Sequence, residues 1–362
     1  MIELIRHKDS ESLSKRSEAE AFERTMLEEG FILFLSLHHI AELMSYHDDG
    51  VVERSLRYLR RLPVAAWIAS TSGSGIAGAI TDLIAAEVKS AFREPEADIF
   101  HVRNSTQATV VRFGPAAEAL AGLDAAPAAF REEFRRQTER HRSVIAISRT
   151  ADFGGSRERI VDLSRRPIRS PTKANHLLEK MQGHLAENVK ARGDKKIADP
   201  ESVATEFFQL VKSGAEAFYN AESNPVISFL EKMGLHPAEI TKDMTVENAT
   251  DIIQFRQHLE IASTMIGIPF DSLKATVRPE QIPSWNIQRG LTRWFQKLNR
   301  HDGSEWTDTI LACLAPYVEL CTVDKRTYEN VTRAGRNIPE FKALTSSVRK
   351  AARYSEVLPS LA

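Results

Sequence analysis

The sequence has almost no cysteine, no long apolar run and almost no net charge. Only Cys313 and Cys321 occur, in apolar surroundings and without CxxC or Cys/His spacing, which excludes a disulfide framework and a sequence-readable zinc site. Both are read as small core residues in a reducing compartment. No apolar stretch approaches the roughly 18 residues needed to cross a bilayer, and the opening MIELIRHKDSES lacks the apolar centre of a signal peptide. The expectation is a cytoplasmic protein with no membrane partner. Lys and Arg number 48 against 49 Asp and Glu, so overall charge does not point to a polyanionic partner and only local charge can. Internal repeats and low-complexity tracts are also missing. What remains is a chain of 362 residues, 42% hydrophobic and 27% charged, able to bury a core as two or three domains or as one interrupted domain.

Apolar patterning divides the chain. Residues 1–28 read mostly as helix, and FILFLSL (31–37) is the short continuous apolar run of a buried parallel strand. Ser36 is placed to cap the following helix, on which Leu37, Ile40, Leu43 and Met44 share one face while Glu42 projects from the other. A helix over 51–62 and a strand in PVAAWIAS (63–70) follow. From Gly75 to about Leu298 helical periodicity dominates, punctuated by Pro95, Pro127, Pro167, Pro171 and Pro200, with TVVRFG (109–114) as a minor strand. Strand character returns in VELCTV (318–323), ahead of a basic helical tail. These ends and this middle predict an α/β fold: a parallel sheet flanked by helices and built from both chain ends, over 1–68 and 300–362, with a mainly α-helical insertion over 69–299.

Chemistry concentrates in SEWTDTILACLAPYVELCTVDKRTYEN (304–330). With Ser304 as N-cap, Glu305 opens a helix and Asp308 follows one turn on, on the same face. Both carboxylates then lie near the positive end of the helix dipole. Asp308 shares a stripe with Leu311, Ala312 and Ala315 and so faces inward. Asp324 closes the next strand, where α/β folds place ligands. If the ends of strands 31–35 and 318–323 open on one side of a parallel sheet, Glu42 and Asp324 join Asp308 and Glu305. Close carboxylate pairs repel by about 4 kcal/mol at an effective dielectric near 20. A divalent cation resolves this, and an all-oxygen set selects Mg²⁺ or Mn²⁺ over zinc.

The patterns SLHHIAEL (36–43), SEWTDTILACLAPYV (304–318) and TVDKRT (322–327) resemble PIN-domain nucleases over about a third of the chain, 1–68 and 283–340. That resemblance implies a ribonuclease whose acids hold one or two Mg²⁺ or Mn²⁺ ions. Glu42 matches the glutamate after the second strand and Asp308 the acid opening a late helix, with Glu305 as its companion. Asp324 matches the aspartate closing the next strand. These four are the expected metal ligands, with Glu42, Asp308 and Asp324 catalytic in endonucleolytic hydrolysis. One departure is plain. The family begins with a strand ending in aspartate, whereas IELIR (2–6) matches the helix after it and Glu3 falls too late to substitute, so weak or absent activity is expected unless the protein begins upstream. The alternative is a catalytically inactive interaction module whose helical insertion binds a protein or nucleic-acid partner.

Local charge fits a single-stranded RNA partner. From Lys325 to Arg353 eight Lys or Arg face Glu329 and Glu340, an excess of six, and from Arg131 to Arg169 eleven Arg face six acids. Lys325, Arg326, Asn330 and Arg333 are the candidate nucleic-acid contacts. Each reading has a plainer rival. A charge run is commonly a solvated helix face, Glu42 an ordinary surface residue, Asp308 and Asp324 a cap and a turn residue, and His38 and His39 hydrogen-bonded surface side chains. GSGIAG (73–78) fits the dinucleotide fingerprint, but the polar Ser70-Thr71-Ser72 spacer and the lack of a second acid-ended strand favour a Gly/Ser loop.

Overall fold

The computed structural model describes residues 2–73, 75–150, 157–165, 171–192, 197–219, 224–294 and 304–358. Its first elements are α1 (Ile2–Lys8), α2 (Leu13–Glu28), β1 (Leu33–Leu35), α3 (Leu37–Met44), α4 (Asp49–Arg60), β2 (Ala65–Ile68), α5 (Ile80–Arg93), α6 (Ile99–Val110), β3 (Val111–Gly114) and α7 (Pro127–Thr150). The middle comprises α8 (Ile160–Ser164), α9 (Pro171–Arg192), α10 (Pro200–Tyr219), α11 (Pro225–Lys232), α12 (Val246–Ile266), α13 (Phe270–Thr276) and α14 (Pro283–Trp294). The chain closes with α15 (Ser304–Ala312), β4 (Cys321–Val323), α16 (Lys325–Asn337), α17 (Pro339–Leu344) and β5 (Val348–Lys350). The protein is mainly helical with small sheets. No described helix is long and apolar enough to cross a membrane.

Two compact units divide the chain. One is formed by Met1–Thr138, Leu259–Phe295 and Thr307–Ala362, the other by Glu139–His258 and Gln296–Trp306. The first unit draws on both chain ends. The helical insertion expected over 69–299 is itself divided, because α5 packs on β2 and α6, and α14 packs on α5, α6 and α16. These helices carry apolar stripes that are satisfied only inside the first unit. In the second unit α9 and α10 pair around Leu185, Val189, Ala204 and Phe208. A separate cluster there gathers Ile160, Leu230, Leu235, Met244, Ala249 and Ile253.

The first unit's core joins Leu35, Ile40, Leu43 and Met44 to Leu56, Leu59, Ala65 and Trp67. Each fully buried aliphatic or aromatic side chain of this kind contributes roughly 1.5–3 kcal/mol. A second cluster, Leu4, Ala19, Phe22, Tyr354 and Leu358, ties the two chain ends together. There Phe22 meets Tyr354 edge-on at 5.1 Å, and the Tyr354 hydroxyl lies 2.9 Å from His7 Nδ1.

Sheet topology departs from the single parallel sheet expected. β1 pairs parallel with β2, matching Leu33 to Ala65, and β2 pairs antiparallel with β3, matching Ala66 to Phe113. β4 pairs parallel with β5 in a separate two-stranded sheet. Of the apolar run 31–37 only Leu33–Leu35 form a strand, of 109–114 Val111–Gly114 do, and VELCTV contributes only its last three residues. Ahead of them Ala315–Tyr317 form a 3-10 turn, in which Pro316 has no N–H to give to a ladder. Strand pairing is a non-local choice that apolar patterning does not specify.

Candidate functional site

Asp324 follows β4 directly and N-caps α16, its Oδ1 accepting the Thr327 N–H at 2.6 Å. This is the strand-end position expected of it, with one oxygen engaged in the cap. Glu42 sits on α3, the helix leaving β1. The residue is exposed, yet enough protein surrounds its carboxyl for desolvation to raise the pKa. Asp308 is half-buried in α15, beside the buried Thr309. α15 begins at Ser304 itself rather than after it, and the side chain of Glu305 lies outside the described residues. Glu42, Asp308 and Asp324 all belong to the first unit. Among the described residues, however, no three His, Cys, Asp or Glu side chains are gathered so as to hold a metal ion.

The local reason for the α3 geometry is legible. Ser36 caps it, and the box is closed by a histidine: the Ser36 N–H donates to His39 Nδ1 at 3.2 Å and the Ser36 hydroxyl lies 3.0 Å from the same nitrogen. An accepting Nδ1 is unprotonated. Consistently, desolvation, then His38, lower the His39 pKa to about 4. His39 therefore acts as a structural acceptor, in the place where Glu or Gln commonly stands.

The four candidate RNA contacts differ in exposure. Lys325 is exposed and lies 3.9 Å from Glu329 across one turn of α16. Arg326 and Arg333 are half-buried. Asn330 is only 1% exposed, with neither amide atom hydrogen-bonded, so it turns inward rather than toward a solvent-borne strand. The other basic run, 131–169, lies partly outside the described residues. Within it Arg131 and Arg135 both reach Asp49, and Arg136 reaches Glu133.

The glycine-rich motif is occupied by the protein itself. Asp82, in the first turn of α5, accepts from the Thr71 N–H and hydroxyl at 2.7 Å and from the Ala79 N–H at 2.8 Å. A carboxylate therefore sits at the helix start where a phosphate would bind, and like charge disfavours a nucleotide there. Gly78 is required by proximity, since a Cβ there would stand 2.8 Å from the Ala69 carbonyl oxygen.

One polar cluster was not foreseen. Glu87, 0% exposed on α5, accepts from the Tyr317 hydroxyl at 2.6 Å, the Ser284 hydroxyl at 2.8 Å and the Ser284 N–H at 3.1 Å. Burial drives its pKa up to about 7 against the opposing pull of those donors. Cys313 lies alongside, its thiol 3.7 Å from the Ser284 carbonyl and its pKa pushed by burial to about 12. Cys321, only partly buried where a core position was expected, is raised to about 11 for the same reason, so burial favours the protonated form of both thiols. The sequence carried a signal for Glu87: it falls on the stripe of Ile80, Leu83, Ile84, Val88 and Ala91.

Two open grooves of about 490 Å³ each occur, one lined by Ile2, Arg6, Lys15 and Tyr46 among others, one by residues from Glu94 to His101. Neither is lined by Glu42, Asp308 or Asp324. No protein-family model, curated protein or solved structure matches this chain.

Proposed function

We propose that the protein is a PIN-like ribonuclease acting on single-stranded RNA, with Glu42, Asp308 and Asp324 as its essential carboxylates. The observation that supports this most is the placement of Asp324 and Glu42. Asp324 closes one parallel strand, and Glu42 rides on the helix that leaves another, both within one compact unit. Ligands of α/β folds collect beyond the carboxyl ends of such strands. Behind Asp324, Lys325, Arg336, Lys342, Arg349, Lys350 and Arg353 are exposed on the tail, where they can neutralise phosphates.

The resemblance implies Mg²⁺ or Mn²⁺ held by these acids and Glu305, a cation that lowers the pKa of a bound water and stabilises charge on the phosphodiester. Among the described residues, the acids do not make a cation site. Mutual repulsion of about 4 kcal/mol per close pair disfavours their gathering in the protein alone. The decisive experiment incubates the purified chain with single-stranded RNA and Mn²⁺. Cleavage that is lost in Asp308→Asn and in Asp324→Asn supports the reading, and no cleavage by the wild type at any Mn²⁺ concentration removes it.

A second reading, a catalytically inactive PIN-like interaction module, is favoured by the use of Asp324 as a helix cap. It predicts RNA or protein binding through the helical part, unchanged by EDTA and unaccompanied by cleavage.

A further inference from the structure

Three stretches far apart in sequence meet at Glu87. Its carboxyl joins α5 to the first turn of α14 through Ser284 and to the 3-10 turn before β4 through Tyr317. That turn is the link between α15, which carries Asp308, and β4, which Asp324 directly follows. The same knot holds the C-terminal end of α15, because the Cys313 thiol reaches the carbonyls of Ser284 and Thr309 and receives the Gln288 amide at 3.6 Å. On the far side the Arg103 guanidinium holds the Pro316 carbonyl at 3.0 Å. Among the described residues nothing cationic is bonded to Glu87 itself. It meets one amide and two hydroxyls, and no ion pair to it occurs among the described residues.

We propose that Glu87 is a proton-sensitive anchor that seats the α15–β4 segment on α5 and α14, firm while its carboxyl is protonated and loosened once the proton leaves. A protonated carboxyl keeps the contacts without burying a charge, since either neighbouring hydroxyl can turn to accept its proton. An ionised one keeps three donors but places an uncompensated negative charge in a fully enclosed site. When the segment opens, the carboxylate regains water, so opening is favoured by ionisation. The ionisable groups bearing on Glu87 are Tyr317 and Cys313, both held neutral by burial, and Arg103, which acts through Tyr317. The anchor is a positioning device. It matters for chemistry only under the ribonuclease reading, but it can be measured without RNA.

The test is amide exchange on the full chain at about pH 6 and about pH 8, corrected for intrinsic rates, in peptides spanning 283–290 and 309–318. With the carboxyl's pKa near 7 when seated and at its ordinary 4.5 when open, the wild-type opening constant is expected to rise roughly tenfold across that interval. Glu87→Gln, which mimics the protonated state, is expected to show less than a threefold rise. Tyr317→Phe removes a donor that favours the charged form, so its opening should level off at higher pH than the wild type. Equal pH responses in wild type and Glu87→Gln overturn the proposal. If Glu87→Gln does not fold, an unshifted profile in Tyr317→Phe overturns it instead. The expected exchange profiles together with no RNA cleavage by the wild type would count against the ribonuclease reading alone.

Discussion

The Tyr317 hydroxyl donates a 2.6 Å hydrogen bond to Oε1 of Glu87 across 230 residues of chain. Both groups are buried: burial first, and then the Glu87 charge, hold the phenol pKa well above its usual value, while the phenol's hydrogen bond favours the ionised carboxyl against the burial that raises it. The bond fastens the turn before β4 to α5, the helix that follows β2.

Global stability should follow this carboxyl. Glu87 is raised when folded, to about 7 from 4.5, so its contribution is fully present below pH 4.5 and is lost as pH rises through 7. The loss is on the order of 3 kcal/mol, at 1.36 kcal/mol per unit. Urea unfolding of the wild type at a series of pH values should show that slope, and Glu87→Gln should flatten it.

His39 has the opposite sign. Its folded pKa is depressed to about 4 from 6.5, so the neutral, accepting ring stabilises above pH 6.5 and that stability is lost as pH falls toward 4. His39→Gln keeps an acceptor in the capping box and should be nearly neutral, whereas His39→Ala should cost about 1 kcal/mol. Thermal melts above pH 7 would report both. An equal cost for the two variants would rule out the capping role.

Asp324 separates cap from chemistry. Asp324→Asn preserves the acceptor for Thr327 and should leave the melting temperature almost unchanged, while Asp324→Ala should cost about 1 kcal/mol. If the carboxylate is essential for cleavage, both variants lose activity although only one loses stability. Activity retained in the folded Asn variant would show that Asp324 is a cap and nothing more.

Gly290, within α14, stands against Phe341 of α17. A Cβ there would fall 2.5 Å from the Phe341 ring, and Phe341 is fully buried. In an exposed helix Gly→Ala gains close to 1 kcal/mol, but here the overlap should reverse the sign and cost roughly 1–3 kcal/mol. Phe341→Leu, destabilising alone, should cost less in the Gly290→Ala background. Chemical denaturation of the two single variants and the double variant measures that coupling.

Much of the local structure was legible. FILFLSL announces β1 as a short continuous apolar run, although only Leu33–Leu35 form the strand and only Leu35 is buried, and Ser36 announces the start of α3 because its hydroxyl and N–H can serve a helix end. Asp324 could be placed at a strand end from VELCTVD alone. The separation of β4 from β1 could not, because three-residue strands carry too little pattern to select their neighbours. The divided insertion was equally hidden: α5 and α14 carry the same periodicity whichever partners they meet. Glu87 was visible as an acid on an apolar stripe, but its significance depends on Ser284 and Tyr317, which nothing local connects to it.

Sequence alone determined where helices start, which faces are apolar, that the two thiols sit in apolar surroundings and where the basic tail lies, because these depend on neighbours a few residues apart. Tertiary structure alone decided which strands pair, which helices join the first unit, and that Glu87, Ser284, Tyr317 and Cys313 share one enclosed knot. Those outcomes follow from contacts across tens to hundreds of residues, where shape and burial select among partners that local pattern leaves equivalent.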